Sequence, residues 1–220
     1  ANESGQSVAL TATSNDTSLV GNPSISGSGA NRTLSYAPVA DGTGTVTITV
    51  TADDGQSANN AFSRSFSITI SSVNDAPSFD AIAAQSAAED AGTQSVSITG
   101  VSPGPANESG QSVALTATSN DTSLVGNPSI SGSGANRTLS YAPVADGTGT
   151  VTIMVTVDDG QALSNTFSRS FTITISSVND APRFDAIAAQ SAAEDAGTQS
   201  VGITGVSPGP ANESAQSVTL

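Results

Sequence analysis

Residues 1–48 recur without change as residues 106–153, and a third copy opens at Ala211 with "ANESAQSVTL". The period is 105 residues. Aligning 1–105 with 106–210 leaves nine differences: Thr49/Met154, Ala52/Val157, Ser57/Ala162, Ala58/Leu163, Asn59/Ser164, Ala61/Thr166, Ser67/Thr172, Ser78/Arg183 and Ser97/Gly202. Such a repeat constrains the fold more than any other feature, because one unit must fold and then fold again beside itself. Solenoid units run to roughly 20–45 residues, so this period points to whole domains in tandem.

Within the second copy, "QSVSITGV" (94–101), "QSVALTATS" (111–119), "TLSYAP" (138–143), "GTVTIMVTV" (149–157) and "FSRSFTITI" (167–175) alternate apolar with polar residues. Alternation with a period of two, bounded by Gly, Pro, Asn and Asp, marks strands with one buried face. Adding "FDAIAA" (79–84) and "SLVGNPSIS" (123–131) gives about seven strands per repeat, the count of an immunoglobulin-like sandwich. No stretch reads as a long amphipathic helix. The run "TVTITVT" (45–51) is β-prone enough to aggregate if exposed, and it reads as the buried sixth strand.

The chemistry available is narrow. There is no Cys and no His, and the five basic residues are all Arg, set against 19 acids for a net charge of −14. Without Cys there is no disulfide framework. Without His the usual proton shuttle and the commonest transition-metal ligand are missing. Without Lys no Lys–Asn isopeptide crosslink can form. The acidity argues against nucleic acid as a partner, and no apolar run reaches the ~18 residues that span a bilayer. Acidic pairs such as Asp53–Asp54 exist, but they stand in loops with almost no aromatic residues to line a sugar site, so the chain reads as no enzyme. A carbohydrate-binding module is the milder alternative; it would want exposed aromatics, and each repeat offers one Tyr, Tyr36 or Tyr141.

Each last strand ends in the same linker, "SSVNDAPSF" at 71–79 and "SSVNDAPRF" at 176–184. Taking it as the boundary gives residues 1–77 as the back of one repeat, 78–182 as a complete repeat and 183–220 as the opening of a third. The chain then reads as a segment of a longer array. The segment "VTADDGQSANNAFSRSFSITISSVNDAPSF" (50–79) resembles the closing part of cadherin repeats, and is most similar to the cadherin-like tandem repeats of large bacterial surface proteins. In those, "EDAG" near the start, "DDG" before the last strand and a closing "VNDAP" recur, as they do here. The resemblance implies tandem cadherin-like Greek-key β-sandwiches, an extracellular location at the cell surface, and Ca²⁺ bound at the linkers.

The loop geometry expected of a seven-stranded sandwich is compatible with such a site. The loops holding Glu89 with Asp90, and Asp146, should share the end at which the chain leaves. Those holding Asn107 with Glu108, and Asp158 with Asp159, should share the opposite end. At the junction near 74–77 the expected ligands are Asp41 from below, Asn74 and Asp75 from the linker, and Glu108, Asp158 and Asp159 from above. At the junction near 179–182 they are Glu89, Asp90, Asp146, Asn179 and Asp180, with the upper loops expected beyond Leu220, so that this site is incomplete. Ca²⁺ takes about six to eight oxygens in a forgiving geometry, which such a set can offer. Taken singly, Asp41 and Asp146 in "ADGTG" read as turn residues, whose side chains bond nearby backbone. The linker also reads as a rigid extended segment, since Pro excludes helix before it.

The functional expectation is a structural extender of a repetitive extracellular adhesin or surface fibre. Its partners are neighbouring repeats of the same chain or of identical chains. An alternative is a self-polymerising filament, in which 183–220 of one chain completes 1–77 of another by strand complementation. Three Asn-x-Ser/Thr triplets per repeat, "NES", "NDT" and "NRT", are acceptors for glycosylation where a host has the machinery, and are also what chance gives in so Asn- and Ser-rich a chain.

Overall fold

The computed structural model describes residues 6–219. It is all-β apart from two single turns of 3-10 helix, and its residues divide into two compact units: Ala1–Asp75 with Pro103–Gln111, and Ala76–Ser102 with Ser112–Leu220. No helix among the described residues is long and apolar enough to cross a membrane.

The second unit holds seven strands: β6 (Gln85–Ala88), β7 (Gln94–Ile98), β8 (Ala114–Ser119), β9 (Ser129–Ser131), β10 (Arg137–Tyr141), β11 (Gly149–Asp158) and β12 (Thr166–Ser176). They form a four-stranded sheet in the order β6-β12-β11-β8 and a three-stranded sheet in the order β7-β10-β9. All pairs are antiparallel except β6 with β12. The chain crosses from one sheet to the other after β6, β7, β8 and β10, a Greek-key path through a two-layer sandwich.

The alternation seen in the sequence becomes the core. On β11, Val151, Ile153, Val155 and Val157 are fully buried, while Met154 between them faces solvent. Phe171, Ile173 and Ile175 of β12 meet them from the same sheet, and Val96, Ile98, Leu139 and Tyr141 close the core from the other. Each such side chain contributes ~1.5–3 kcal/mol by leaving water. Burial also pushes the Tyr141 hydroxyl above its ordinary pKa. Phe79 and Phe167 seal one end edge to face, with centroids 5.6 Å apart. On the outer face the hydroxyls pair across strands, as in Thr156 with Ser168 at 2.7 Å.

Two expected strands differ from those observed. Residues 79–84 pair with no strand; the first strand begins at Gln85, because Asp80 is held instead by Thr99, whose carbonyl accepts from Asp80 N and whose hydroxyl donates to its carboxylate. The run 123–131 is a strand only at 129–131. Asp121 captures the N–H and hydroxyl of Ser123 in a turn, and Pro128 offers no N–H to a ladder.

The first unit holds five strands: β1 (Ala9–Ser14), β2 (Ser24–Ser26), β3 (Thr33–Ser35), β4 (Gly44–Asp53) and β5 (Ala61–Ile70), in sheets ordered β1-β4-β5 and β2-β3. These match β8 to β12 in sequence. The counterparts of β6 and β7 are missing among its described residues, so β5 and β3 each keep an unpaired edge. The consequence is visible side by side: Phe171 is 5 % exposed where Phe66 is 43 %, and Tyr141 is 5 % where Tyr36 is 48 %.

Candidate functional site

The "ANES" motif sets the local geometry of the linkers. Pro105 and Pro210, extended, each lead into a one-turn 3-10 helix, Ala106–Glu108 and Ala211–Glu213. That turn places the third residue, Glu108 or Glu213, back against the preceding linker. Within the first unit Asp75 N donates to Glu108 Oε1 at 2.8 Å. Within the second, Asp180 N donates to Glu213 Oε1 at 2.7 Å. Both glutamates are buried, at 2 % and 4 % exposure. A Cβ on Gly209 would fall on the Glu213 carboxylate, and one on Gly104 on that of Glu108, so glycine is required there for the carboxylate to fold over the backbone.

The linker asparagines serve the backbone. Asn74 Nδ2 donates to Asp75 O at 3.0 Å and its Oδ1 accepts from Gln111 Nε2, while Asn179 Nδ2 donates to Asp180 O at 2.8 Å. Asp41 lies in the first unit, where it lines a cleft of ≈ 370 Å³ with Val73, Asp75 and Asn107. Its backbone is left-handed at φ 60°, as is that of Asp146, and Asp is among the few side chains that tolerate this.

At the second linker the carboxylates gather. Glu89, 1 % exposed, accepts from Val178 N at 2.8 Å, and both its oxygens accept from Asn212 Nδ2 at 2.9 Å. Burial, then the charges of Asp90, Asp146, Glu213 and Glu89, push the Asp180 carboxyl above its ordinary range. Five acids from four segments therefore act on one spot. Three oxygens there, Asp180 Oδ2, Asn212 Oδ1 and Glu213 Oε2, are buried without a hydrogen-bond partner. At the first linker Glu108 Oε2 and Gln111 Oε1 are in the same state.

Asp158 and Asp159 belong to the second unit, where each holds its own turn: Asp158 Oδ1 accepts from Gly160 N at 2.7 Å and Asp159 Oδ1 from Gln161 N at 2.9 Å. The loop matching Glu108 falls inside the chain and not beyond Leu220, since Glu213 reaches the second linker. Asn212, Glu213 and the two glycines were not among the expected site residues, although adding one period to 107 and 108 points to the first pair.

Among the described residues no group of three or more acids is arranged to hold a metal ion as it stands. The donors nevertheless fit a hard cation in kind: carboxylates and an amide oxygen, buried, unsatisfied and mutually repelling.

Solved structures similar to this chain include domains 4 and 5 of the S-layer protein SbsC (17 % identity, TM-score 0.33, 76 % of this chain and 75 % of that one). They also include mouse cadherin-23 EC22-24 (18 %, 0.45, 81 % and 57 %) and protocadherin gamma B2 domains 3-6 (18 %, 0.41, 80 % and 43 %). No curated protein matches. A family model described as "Lipoprotein associated domain" matches residues 5–75 and 97–180, ending both times on the linker aspartate, Asp75 or Asp180. Those two matches take in most of the sequence, and the chain belongs to the lipoprotein associated domain family.

Proposed function

We propose that this chain is a length-extending segment of a repetitive extracellular surface protein, whose linkers are stiffened by Ca²⁺. The observation that carries the reading is the second linker, where Glu89, Asp90, Asp146, Asp180 and Glu213 act on one spot and three buried oxygens have no partner. Near-identity of the repeats supports a mechanical role, since an extender needs length and not a variety of surfaces. The cell-surface location and the adhesin context rest on the resemblance of the "VNDAP" linker and the "EDAG" and "DDG" loops. Nothing in the side-chain set calls for catalysis.

Bound there, Ca²⁺ would neutralise the mutual repulsion of the carboxylates. Glu213 and Asp180 would turn their unpartnered oxygens to it, while Glu89, held by Val178 N and Asn212, keeps the linker in place. Neighbouring repeats are the partners of such a joint. The test is calcium titration calorimetry on the chain and on Glu213→Gln, with small-angle scattering in calcium and in chelator. The wild-type chain should bind Ca²⁺ and E213Q should lose at least one site, and the scattering profile should tighten with calcium. Unchanged binding by E213Q, or superimposable profiles, would refute the reading.

A further inference from the structure

The second unit shows what covers the open side of the first. Its β6 pairs in parallel with β12, from Ile173 against Gln85 to Ser176 against Ala88, and its β7 pairs with β10, Leu139 facing Val96 and Ser140 facing Ser95. Residues 183–220 repeat 78–115 with changes only at Arg183, Gly202, Ala215 and Thr219. In the structure this tail pairs with no strand, and its apolar residues stand in solvent: Phe184 is 61 % exposed, Ile203 52 % and Val206 50 %, where Phe79, Ile98 and Val101 are 3 %, 0 % and 6 %.

The tail already has the shape of what it repeats. Asp185 N donates to Thr204 O at 2.9 Å, as Asp80 N does to Thr99 O. Ala196 N donates to Ala193 O as Ala91 N does to Ala88 O, and Gly205 and Gly100 share φ 65°. Such preorganisation removes much of the ordering entropy that binding would otherwise cost.

The first unit has the matching vacancies. β5 and β3 offer free edges, and Phe62, the counterpart of Phe167, is 62 % exposed. The cleft lined by Asp41, Val73, Asp75 and Asn107 is the counterpart of the place where Glu89 is gripped by Val178 N and Asn212. The tail carries Glu194 at the position of Glu89, exposed.

We infer that residues 183–219 of a second copy of this chain complete the first unit. Gln190–Ala193 add in parallel to β5 from Ile68 onward, Gln199–Ile203 add to β3 with Ser200 opposite Ser35, Phe184 covers Phe62, and Glu194 enters the cleft to accept from Val73 N and Asn107. The first linker then gains the buried carboxylate that the second already has, so its acid set is complete only with the partner copy. The contact is heterologous, tail to head, and therefore propagates into chains or rings. It is independent of whether Ca²⁺ binds.

The chain has no Cys, so register can be read by engineered disulfides. Full-length Ser35→Cys and Ser200→Cys copies, mixed under mild oxidation, should yield a disulfide-linked dimer as the main product. Ser35→Cys mixed with Ser191→Cys, which belongs opposite Thr69, should yield severalfold less. Sedimentation of the wild-type chain should show mass growing with concentration, and V201D/I203D, on exposed tail positions, should sediment as a monomer. A wild-type chain that stays monomeric at all concentrations would overturn the inference. So would equal crosslinking in the two mixtures, or unaltered association of V201D/I203D.

Discussion

Phe66 and Phe171 occupy the same place in "SFSITI" and "SFTITI", so replacing each by alanine compares one side chain in an open and a closed sandwich. Phe171 is 5 % exposed and lies in the core with Ile173 and Val155, whereas Phe66 is 43 % exposed. Removing a fully buried Phe costs ~3–5 kcal/mol, through lost transfer energy and the cavity left behind. The two positions differ in burial by about two fifths of a side chain that covers ~200 Å², or ~80 Å², which at ~25 cal/mol per Å² is ~2 kcal/mol. We therefore expect F171A to destabilise the second unit by ~2 kcal/mol more than F66A destabilises the first at low protein concentration. The assay is amide hydrogen exchange resolved by mass spectrometry, following peptides from β11 and β4 separately so that each unit reports its own opening energy. As concentration rises and tails cover heads, the F66A cost should grow toward that of F171A. Equal costs in dilute protein would refute the open-face account of the first unit.

Two further predictions concern single turns. Gly209→Ala should push the Glu213 carboxylate off its place and strip Asp180 N of its acceptor; losing such a buried partner costs ~1–3 kcal/mol, so exchange of the Asp180 amide should quicken by roughly 10- to 100-fold. Gly110→Ala, where an added Cβ meets nothing within 4 Å, is the control and should leave that rate alone. The hydroxyl and N–H of Ser123 hold the Asp121 carboxyl below its ordinary range, as those of Ser18 do for Asp16. A depressed carboxyl contributes stability above its unfolded pKa of about 3.8 and loses it as the pH falls through the folded value. The double variant S18A/S123A should thus lose structure at a higher pH than wild type in an acid titration followed by circular dichroism, and an unchanged midpoint would contradict the assignment.

Much of this molecule was legible in the string of residues. The alternation of "GTVTIMVTV" determined which side chains β11 buries, because a strand's period of two leaves no other face to choose. The repeat determined that one unit's contacts would recur in the next, and the shortage of His, Cys and Lys determined which chemistries were out of reach. The site was legible in part: the linker acids stood out as a set, while Glu213 was reached only because a 3-10 turn after Pro210 reverses the chain onto Asp180. Asp158 and Asp159 looked like ligands by composition, yet their oxygens accept from the turn that holds them. What the sequence could not decide was burial between identical strings. "LSY" at 34–36 and at 139–141 carries the same local preferences, but Tyr141 is enclosed and Tyr36 half exposed, because only one of them has β6 and β7 across from it. Burial is a property of which strand lies opposite, a long-range pairing that local sequence does not encode, and it was settled only by the tertiary structure.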